Sequence, residues 1–250
     1  MHYYDSSEYN ESLGQEKALA RDPNPVAGPI TDEMRGFVLP GFGARLIQNL
    51  PPDSFALEVK FKLITPYVSK DDVDPEEKNS SIVKDRVYQL PMVRPTTWKG
   101  RLRFSSKQQG EDDELVNHLF GLSSDLEDNQ EGRLHFYPTF FPPTMDGSET
   151  INPHSRSTRR GRLLGPVELK CVKAETEGKF FLLYLGPALP GTSRDSIIAS
   201  VLSWVRKMIE FHGIGGKTLK GFGLGVISET WLSTDRDRCE IALDAEGGPN

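Results

Sequence analysis

The chain has 250 residues, 36% of them hydrophobic and 26% charged, an ordinary globular composition with room for one large domain or two small ones. No run approaches the roughly 18 apolar residues of a membrane helix, the polar, acidic start from Met1 to Ser6 is unlike a secretory leader, and Cys171 and Cys239 are too few for a disulfide scaffold or structural zinc site. A soluble, cytoplasmic protein is expected, and its formal charge of −6 argues against a free monomer that grips bare nucleic acid.

Residues 1–50 lack steady periodicity and carry Pro, Gly and acids, as in Asp22-Pro23-Asn24-Pro25 and Pro40-Gly41-Phe42-Gly43. They read as an irregular arm, in which Phe37, Val38 and Leu39 suit a short strand added to a neighbour's edge. Phe55, Leu57, Val59, Phe61 and Leu63 then alternate with Glu58, Lys60 and Lys62, the pattern of a half-buried strand. A charged loop over residues 65–90 follows, containing Lys70-Asp71-Asp72-Val73-Asp74-Pro75-Glu76-Glu77. Loops of that length are uncommon in compact domains unless functional or disordered. After Pro95, Thr96 or Thr97 is placed to cap a helix carrying Trp98, Lys99, Arg101, Leu102 and Arg103. A second helix over 113–120 puts Leu115, His118 and Leu119 on one side. Residues 133–141 read as a strand with Leu134, Phe136 and Phe140, which Pro138 confines to an edge.

Residues 144–165 show no core-forming pattern and read as a projecting loop or hairpin. Strands over 167–172 and 180–185 are joined through Glu175-Thr176-Glu177-Gly178, which predicts a hairpin. The clearest helix follows, capped by Thr192 or Ser193, with Ile197, Ile198, Val201, Leu202, Val205, Met208 and Ile209 on one face. Gly213, Gly215 and Gly216 end it. A glycine-rich stretch from Gly221 leads into a last strand over 226–232. With one extra hairpin strand, this order is the ferredoxin-like (RRM-like) β-α-β-β-α-β pattern, an α+β core with long insertions. The domain spans 51–235, with insertions at 65–90 and 142–165, an arm at 1–50 and a tail at 236–250.

Charge is unevenly placed. Arg94, Lys99, Arg101 and Arg103 form one basic block, and Arg156, Arg159, Arg160 and Arg162 another. An acidic run from Glu111 to Glu131 parts them. The plain reading is solvated surface; the functional one is a phosphate-facing side. Gly215-Gly216-Lys217-Thr218 is not a P-loop, because the first glycine would fall at Phe211 and the segment follows a helix. Gly221-Phe222-Gly223-Leu224-Gly225 lacks dinucleotide spacing. It is either a tight turn or a turn whose N–H groups approach a phosphate. Gly-x-Ser-x-Gly is absent, and the five histidines show no metal-ligand spacing. His118 and His135 read as packed in or beside the core. His154, among the loop arginines, is the candidate for acid–base work on RNA.

Three segments together carry a family resemblance. Leu90-Pro91-Met92-Val93-Arg94-Pro95-Thr96-Thr97-Trp98-Lys99-Gly100-Arg101-Leu102-Arg103 resembles the first-helix motif of the RAMP superfamily of CRISPR-associated proteins, although Pro95 stands in place of the usual glycine. His118-Leu119-Phe120-Gly121, followed by Gly132-Arg133-Leu134-His135-Phe136, is similar to the family's Leu-Phe-Gly … Gly-x-Leu-x-Phe block. The stretch Gly216-Lys217-Thr218-Leu219-Lys220-Gly221-Phe222-Gly223-Leu224-Gly225 resembles its terminal glycine-rich loop.

The resemblance implies a backbone subunit of a type III CRISPR effector complex, an antiviral ribonucleoprotein whose RAMP subunits polymerise along a guide RNA and hold its phosphates. Thr96, Thr97, Lys99, Arg101 and Arg103 would do so at a helix start, where unpaired N–H groups attract anions. Lys217, Lys220, Gly221, Phe222 and Gly223 would meet the same strand, and Arg156, Arg159, Arg160 and Arg162 would form a thumb between guide and target. It further implies a target-cleaving aspartate after the first strand: Asp71, Asp72 or Asp74, with Asp85 as an outsider. Such a carboxylate accepts the proton of an attacking ribose 2′-hydroxyl or, at Asp71 and Asp72, helps hold Mg²⁺ or another divalent cation. Two other readings stand beside this one: a structural RAMP subunit that cuts nothing, and a metal-independent guide-processing endoribonuclease using a histidine. The implied partners are the guide RNA, a complementary target RNA and the other RAMP and large subunits, with no membrane.

Overall fold

Alternation sets the centre of the molecule. In the computed structural model, which describes residues 50–69, 82–122, 131–152, 166–234 and 238–241, the elements in chain order begin with β1 (Phe55–Leu63), β2 (Met92–Val93), α1 (Pro95–Gln108) and α2 (Asp113–Phe120). They continue with β3 (Leu134–Phe136), β4 (Thr139–Phe140), β5 (Asp146–Ile151), β6 (Val167–Val172) and β7 (Glu177–Tyr184). The last are α3 (Arg194–Lys207), β8 (Gly225–Thr234) and β9 (Arg238–Glu240). Phe55, Leu57, Val59, Phe61 and Leu63 of β1 are all buried, a contribution of roughly 1.5–3 kcal/mol for each such side chain.

The main sheet has the order β3-β7-β1-β8-β9 and every neighbouring pair is antiparallel. It follows that β1 and β3 run parallel with β7 between them, and that β7 and β8 run parallel with β1 between them. Each parallel pair is connected through helix, so two β-helix-β units interleave. Helices α1, α2 and α3 pack on the β1 face that carries Phe55 to Leu63. Trp98 and Leu102 of α1, Val116, Leu119 and Phe120 of α2, and Ile197, Val201 and Val205 of α3 share one cluster with it. Ser193 caps α3, its Oγ accepting the Ser196 N–H at 3.1 Å. The opposite face is apolar at one end, around Ala56, Phe181 and Leu183, and charged further along, where Lys60 pairs with Glu229 at 2.5 Å and Lys62 with Glu175. Among the described residues no helix is long and apolar enough to cross a membrane.

Several local expectations are corrected. The strands over 167–172 and 177–184 do not form a hairpin: β6 pairs with β5, and β7 lies in the main sheet between β3 and β1. Glu175, at φ 67, turns the chain out of one ladder and into the other. The run over 133–141 divides at Pro138, which lacks the N–H a ladder needs. Leu134–Phe136 joins β7, and Thr139–Phe140 joins β2. Neither Thr96 nor Thr97 caps α1. Arg94 is the extended residue before it and Pro95 opens the first turn, where its fixed φ suits helix and its missing N–H costs nothing. The strand over 226–232 is not the last, since β9 pairs beyond it. The arm at 1–49, with Phe37, Val38 and Leu39, lies outside the described residues.

Candidate nucleic-acid interface

Helix α1 is fixed by its buried side. Trp98 is fully buried, edge-on to Phe61 and Phe180 at 5.9 and 4.8 Å, and its Nε1 donates to Thr139 Oγ1 at 3.1 Å. That anchor leaves Thr96, Lys99 and Gly100 exposed and Thr97 half-buried. The N–H groups of Thr97 and Trp98 both turn to the Arg94 carbonyl. Because Pro95 has none, Thr96 supplies the N–H that the first turn leaves to an outside acceptor. A groove of about 360 Å³ opens there, lined by Thr96 and Lys99 from α1 and by Glu131, His135 and Tyr137 across from them.

The first three of the four cations of α1 part company. Lys99 points to solvent. Arg103 lies 3.5 Å from Asn117 Oδ1 of α2. Arg101 is half-buried and donates from Nε to the Gly213 carbonyl at 2.9 Å and from Nη2 to the His212 carbonyl at 2.5 Å. Those carbonyls end α3, which widens into a π-turn over Met208–His212 before Gly213 breaks it at φ 70. Helix ends leave carbonyls without partners and carry partial negative charge, so a guanidinium is the fitting cap. Burial holds the Arg101 pKa below its ordinary value. Its plane also covers the Phe104 ring at 4.9 Å, and Phe104 meets His212 edge-on at 5.4 Å. Burial foremost, then Arg101 and Lys207, lowers the His212 pKa. Phe104 and Phe211 are exposed aromatics on this flank, with Lys207 over the Phe211 ring at 4.6 Å. Sequence reading missed both; two bulky aromatics off the apolar stripe were the available signal.

The glycine turn after α3 is held by its own backbone. Gly216 N–H donates to Val68 O at 2.6 Å, Gly223 N–H to Pro66 O at 2.9 Å, Gly221 N–H to Thr218 O at 2.9 Å and Ile214 N–H to Gly223 O at 2.8 Å. Gly223 has φ 75, and a Cβ there would sit 2.0 Å from the Ile214 carbonyl oxygen. Glycine therefore serves the close approach of the turn to itself. What it presents outward is Lys217, Leu219 and Lys220, all exposed, while Phe222 packs with Val68, Leu169 and Cys171. Arg101 thus brings α1 and the glycine turn together at one seam.

The stem of the aspartate loop lies on the same turn. Val68 accepts from Gly216, and Ser69 Oγ accepts the Val83 N–H at 2.7 Å, closing the neck of residues 70–81. Asp71, Asp72 and Asp74 fall outside the described residues, as do Arg156, Arg159, Arg160, Arg162 and His154. Among the described residues no group of three or more His, Cys, Asp or Glu side chains is placed to hold a metal ion. Asp85 is described and caps its own turn, its Oδ2 accepting the N–H groups of Val87 and Tyr88 at 2.9 and 2.7 Å. His118 is buried against Tyr184. The Tyr184 hydroxyl donates to Pro187 O at 2.8 Å, so His118 Nε2 donates to the phenol oxygen. Burial, then the Arg133 charge, lowers the His118 pKa, and this histidine is packed in the core.

The family model described as "RAMPs: RAMP superfamily" matches residues 60–226. No curated protein sequence matches the chain. Among solved structures, a chain of the cryo-EM structure of the Type III-B Cmr-beta bound to cognate target RNA is similar, with a TM-score of 0.59 and 13% identity, covering 94% of this chain and 79% of that one. At that identity the likeness speaks to the fold.

Proposed function

This chain belongs to the RAMP superfamily, and on that premise we propose that it is a guide-RNA-binding backbone subunit of a type III CRISPR effector ribonucleoprotein. The strand order β3-β7-β1-β8 supports a ferredoxin-like core for it. The observation that carries the reading is the Arg101 seam. It joins the helix start that exposes Thr96 and Lys99 to the turn that exposes Lys217 and Lys220, with the neck of the aspartate loop on the same turn. Cations and an unpaired N–H on two adjoining elements suit a sugar–phosphate chain, which proteins hold mainly through its phosphates. The net charge of −6 favours action within an assembly, where other subunits supply positive potential. The similar Cmr-beta structure is bound to cognate target RNA, and target RNA and other effector subunits are the partners proposed here.

The same reading gives the subunit a cleavage site at Asp71, Asp72 or Asp74. One of these carboxylates takes the proton of the attacking ribose 2′-hydroxyl. The all-carboxylate donor set of Asp71 and Asp72 is the oxygen-only kind that Mg²⁺ accepts. When bound, that ion supplies charge stabilisation at the scissile phosphate. The test is an assembled complex carrying Asp71→Ala, Asp72→Ala or Asp74→Ala, assayed for Mg²⁺-dependent cutting of complementary RNA. Loss of cutting with unchanged target binding supports the cleavage role. Full cutting by all three variants, singly and combined, makes the subunit structural. Lys99→Ala, Lys217→Ala and Lys220→Ala together are expected to weaken guide binding. The salt slope of log K should become shallower by about 0.7 for each phosphate left without its cation. An unchanged slope would remove these three lysines from the interface.

A further inference from the structure

Among the described residues, the exposed large apolar side chains include two aromatic rings, Phe104 at 42% and Phe211 at 62%. Both stand beside His212: Phe104 meets its ring edge-on, and Phe211 precedes it in the chain. The exposure of Phe211 has a local cause. It comes seven residues after Trp204 and three after Met208, both buried, and on a regular α-helix those spacings would keep it at the edge of their side. The π-turn over Met208–His212 takes more residues to close and so swings the ring outward. Turns of this kind recur at functional sites.

Each ring is backed by a cation, Phe211 by Lys207 and Phe104 by Arg101. Because Lys207 lies over one face of Phe211, its exposure comes through the other face and the edge. Arg101 is held by the α3 carbonyls, so it braces Phe104 in place. The surroundings are basic. Lys207, Lys217 and Lys220 are exposed, and the glycine turn that carries the last two touches this helix end, with Thr218 Cγ2 only 3.3 Å from where a Gly213 Cβ would stand. The carboxylate of the π-turn, Glu210, is taken up by Arg206 at 2.9 Å. Flat apolar faces in a positive field suit a ligand that is a polyanion and carries flat faces of its own. Single-stranded RNA is both, whereas a duplex hides its base faces.

We propose that Phe104 and Phe211 form a stacking platform for unpaired RNA bases, beside the lysines that meet the phosphates. The platform rests on the RNA-binding reading of the Arg101 seam and adds base contacts to it. Every base has a π-face, so the platform is tolerant of sequence. Its signature is a dependence on bases as such, which phosphate contacts do not give.

The test is fluorescence anisotropy of the full chain at low salt, with a labelled oligoadenylate and with a strand of equal length made of abasic ribose phosphates. The two strands carry the same charge. Oligoadenylate is expected to bind at least about fivefold tighter, as for one stacked base. Phe104→Ala with Phe211→Ala is expected to remove that preference and leave the abasic strand unaffected, while Phe104→Tyr with Phe211→Tyr keeps the ring planes and the preference. Lys99→Ala, Lys217→Ala and Lys220→Ala together should weaken both strands alike. Indifference to those lysines breaks the seam reading, whereas loss of the base preference in the parent breaks this one. Three results overturn the platform: no saturable binding of oligoadenylate, equal affinity of the parent for the two strands, or a base preference that survives in the alanine pair. In that last case, self-association of the parent in sedimentation that the alanine pair abolishes would assign the rings to a protein contact. Should the alanine pair fail to fold, by circular dichroism, the parent's comparison of the two strands decides.

Discussion

The glycine turn and the β5–β6 stem both bind the segment after β1, yet they treat polar groups in opposite ways. The turn meets that segment through Gly216 and Gly223, and the stem through the Tyr67–Val172 bridge. In the turn, backbone donors and the carbonyls at the end of α3 find partners inside the protein, Arg101 among them. In the stem, a buried carboxylate oxygen of Asp146 is left without a donor, and Lys84, Lys170 and Lys173 line a cavity. A region whose polar groups are internally matched serves as frame and binds through what it displays outward.

That contrast can be broken by experiment. Gly223→Ala forces a Cβ against Ile214 O at a backbone angle that L side chains avoid, and is expected to cost roughly 3–5 kcal/mol. Urea denaturation reads it, and a midpoint close to the parent's would mean the turn is not the frame described. Arg101→Ala strips two carbonyls of their donor and is expected to cost about 2 kcal/mol. Hydrogen exchange should quicken at the amides of Ile214 and Gly216, and Arg101→Lys should restore only part of the loss, since an ammonium cannot span both carbonyls as the planar fork does. The stem is expected to be far more tolerant. Asp146→Asn breaks a pair whose side chains are 37% and 38% exposed, and its effect should stay below about 1 kcal/mol. A larger loss would make Asp146 part of the frame, and the contrast would fail.

Elements whose burial is local were legible in the sequence. The alternation from Phe55 to Leu63 and the stripe from Ile197 to Ile209 state which side meets the core, and the pair Thr192-Ser193 states where α3 starts. The β6–β7 connection misled, because the partner of β6 is a strand with the sequence Asp-Gly-Ser-Glu-Thr-Ile and no buried residue, which has no apolar period to detect. Arg101 reads as a phosphate ligand in sequence, yet its acceptors lie 111 and 112 residues away, at a helix end whose carbonyls the sequence does not display. Lys99, Lys217 and Lys220 are exposed. The cavity around Asp146 left no trace at all. Its walls come from three separated stretches, and no spacing links Lys84 to Asp146 or Lys173.

The clasp between Ser69 and Val83 has a consequence of another kind. Because Ser69 and Val83 are joined by that hydrogen bond, the number of residues between them is decoupled from the registry of β1. Closing a chain twice as long costs only about 0.6 kcal/mol more. This pair is therefore a natural graft point: longer, shorter or foreign inserts can be exchanged between Ser69 and Val83 while Phe55 to Leu63 keep their packing.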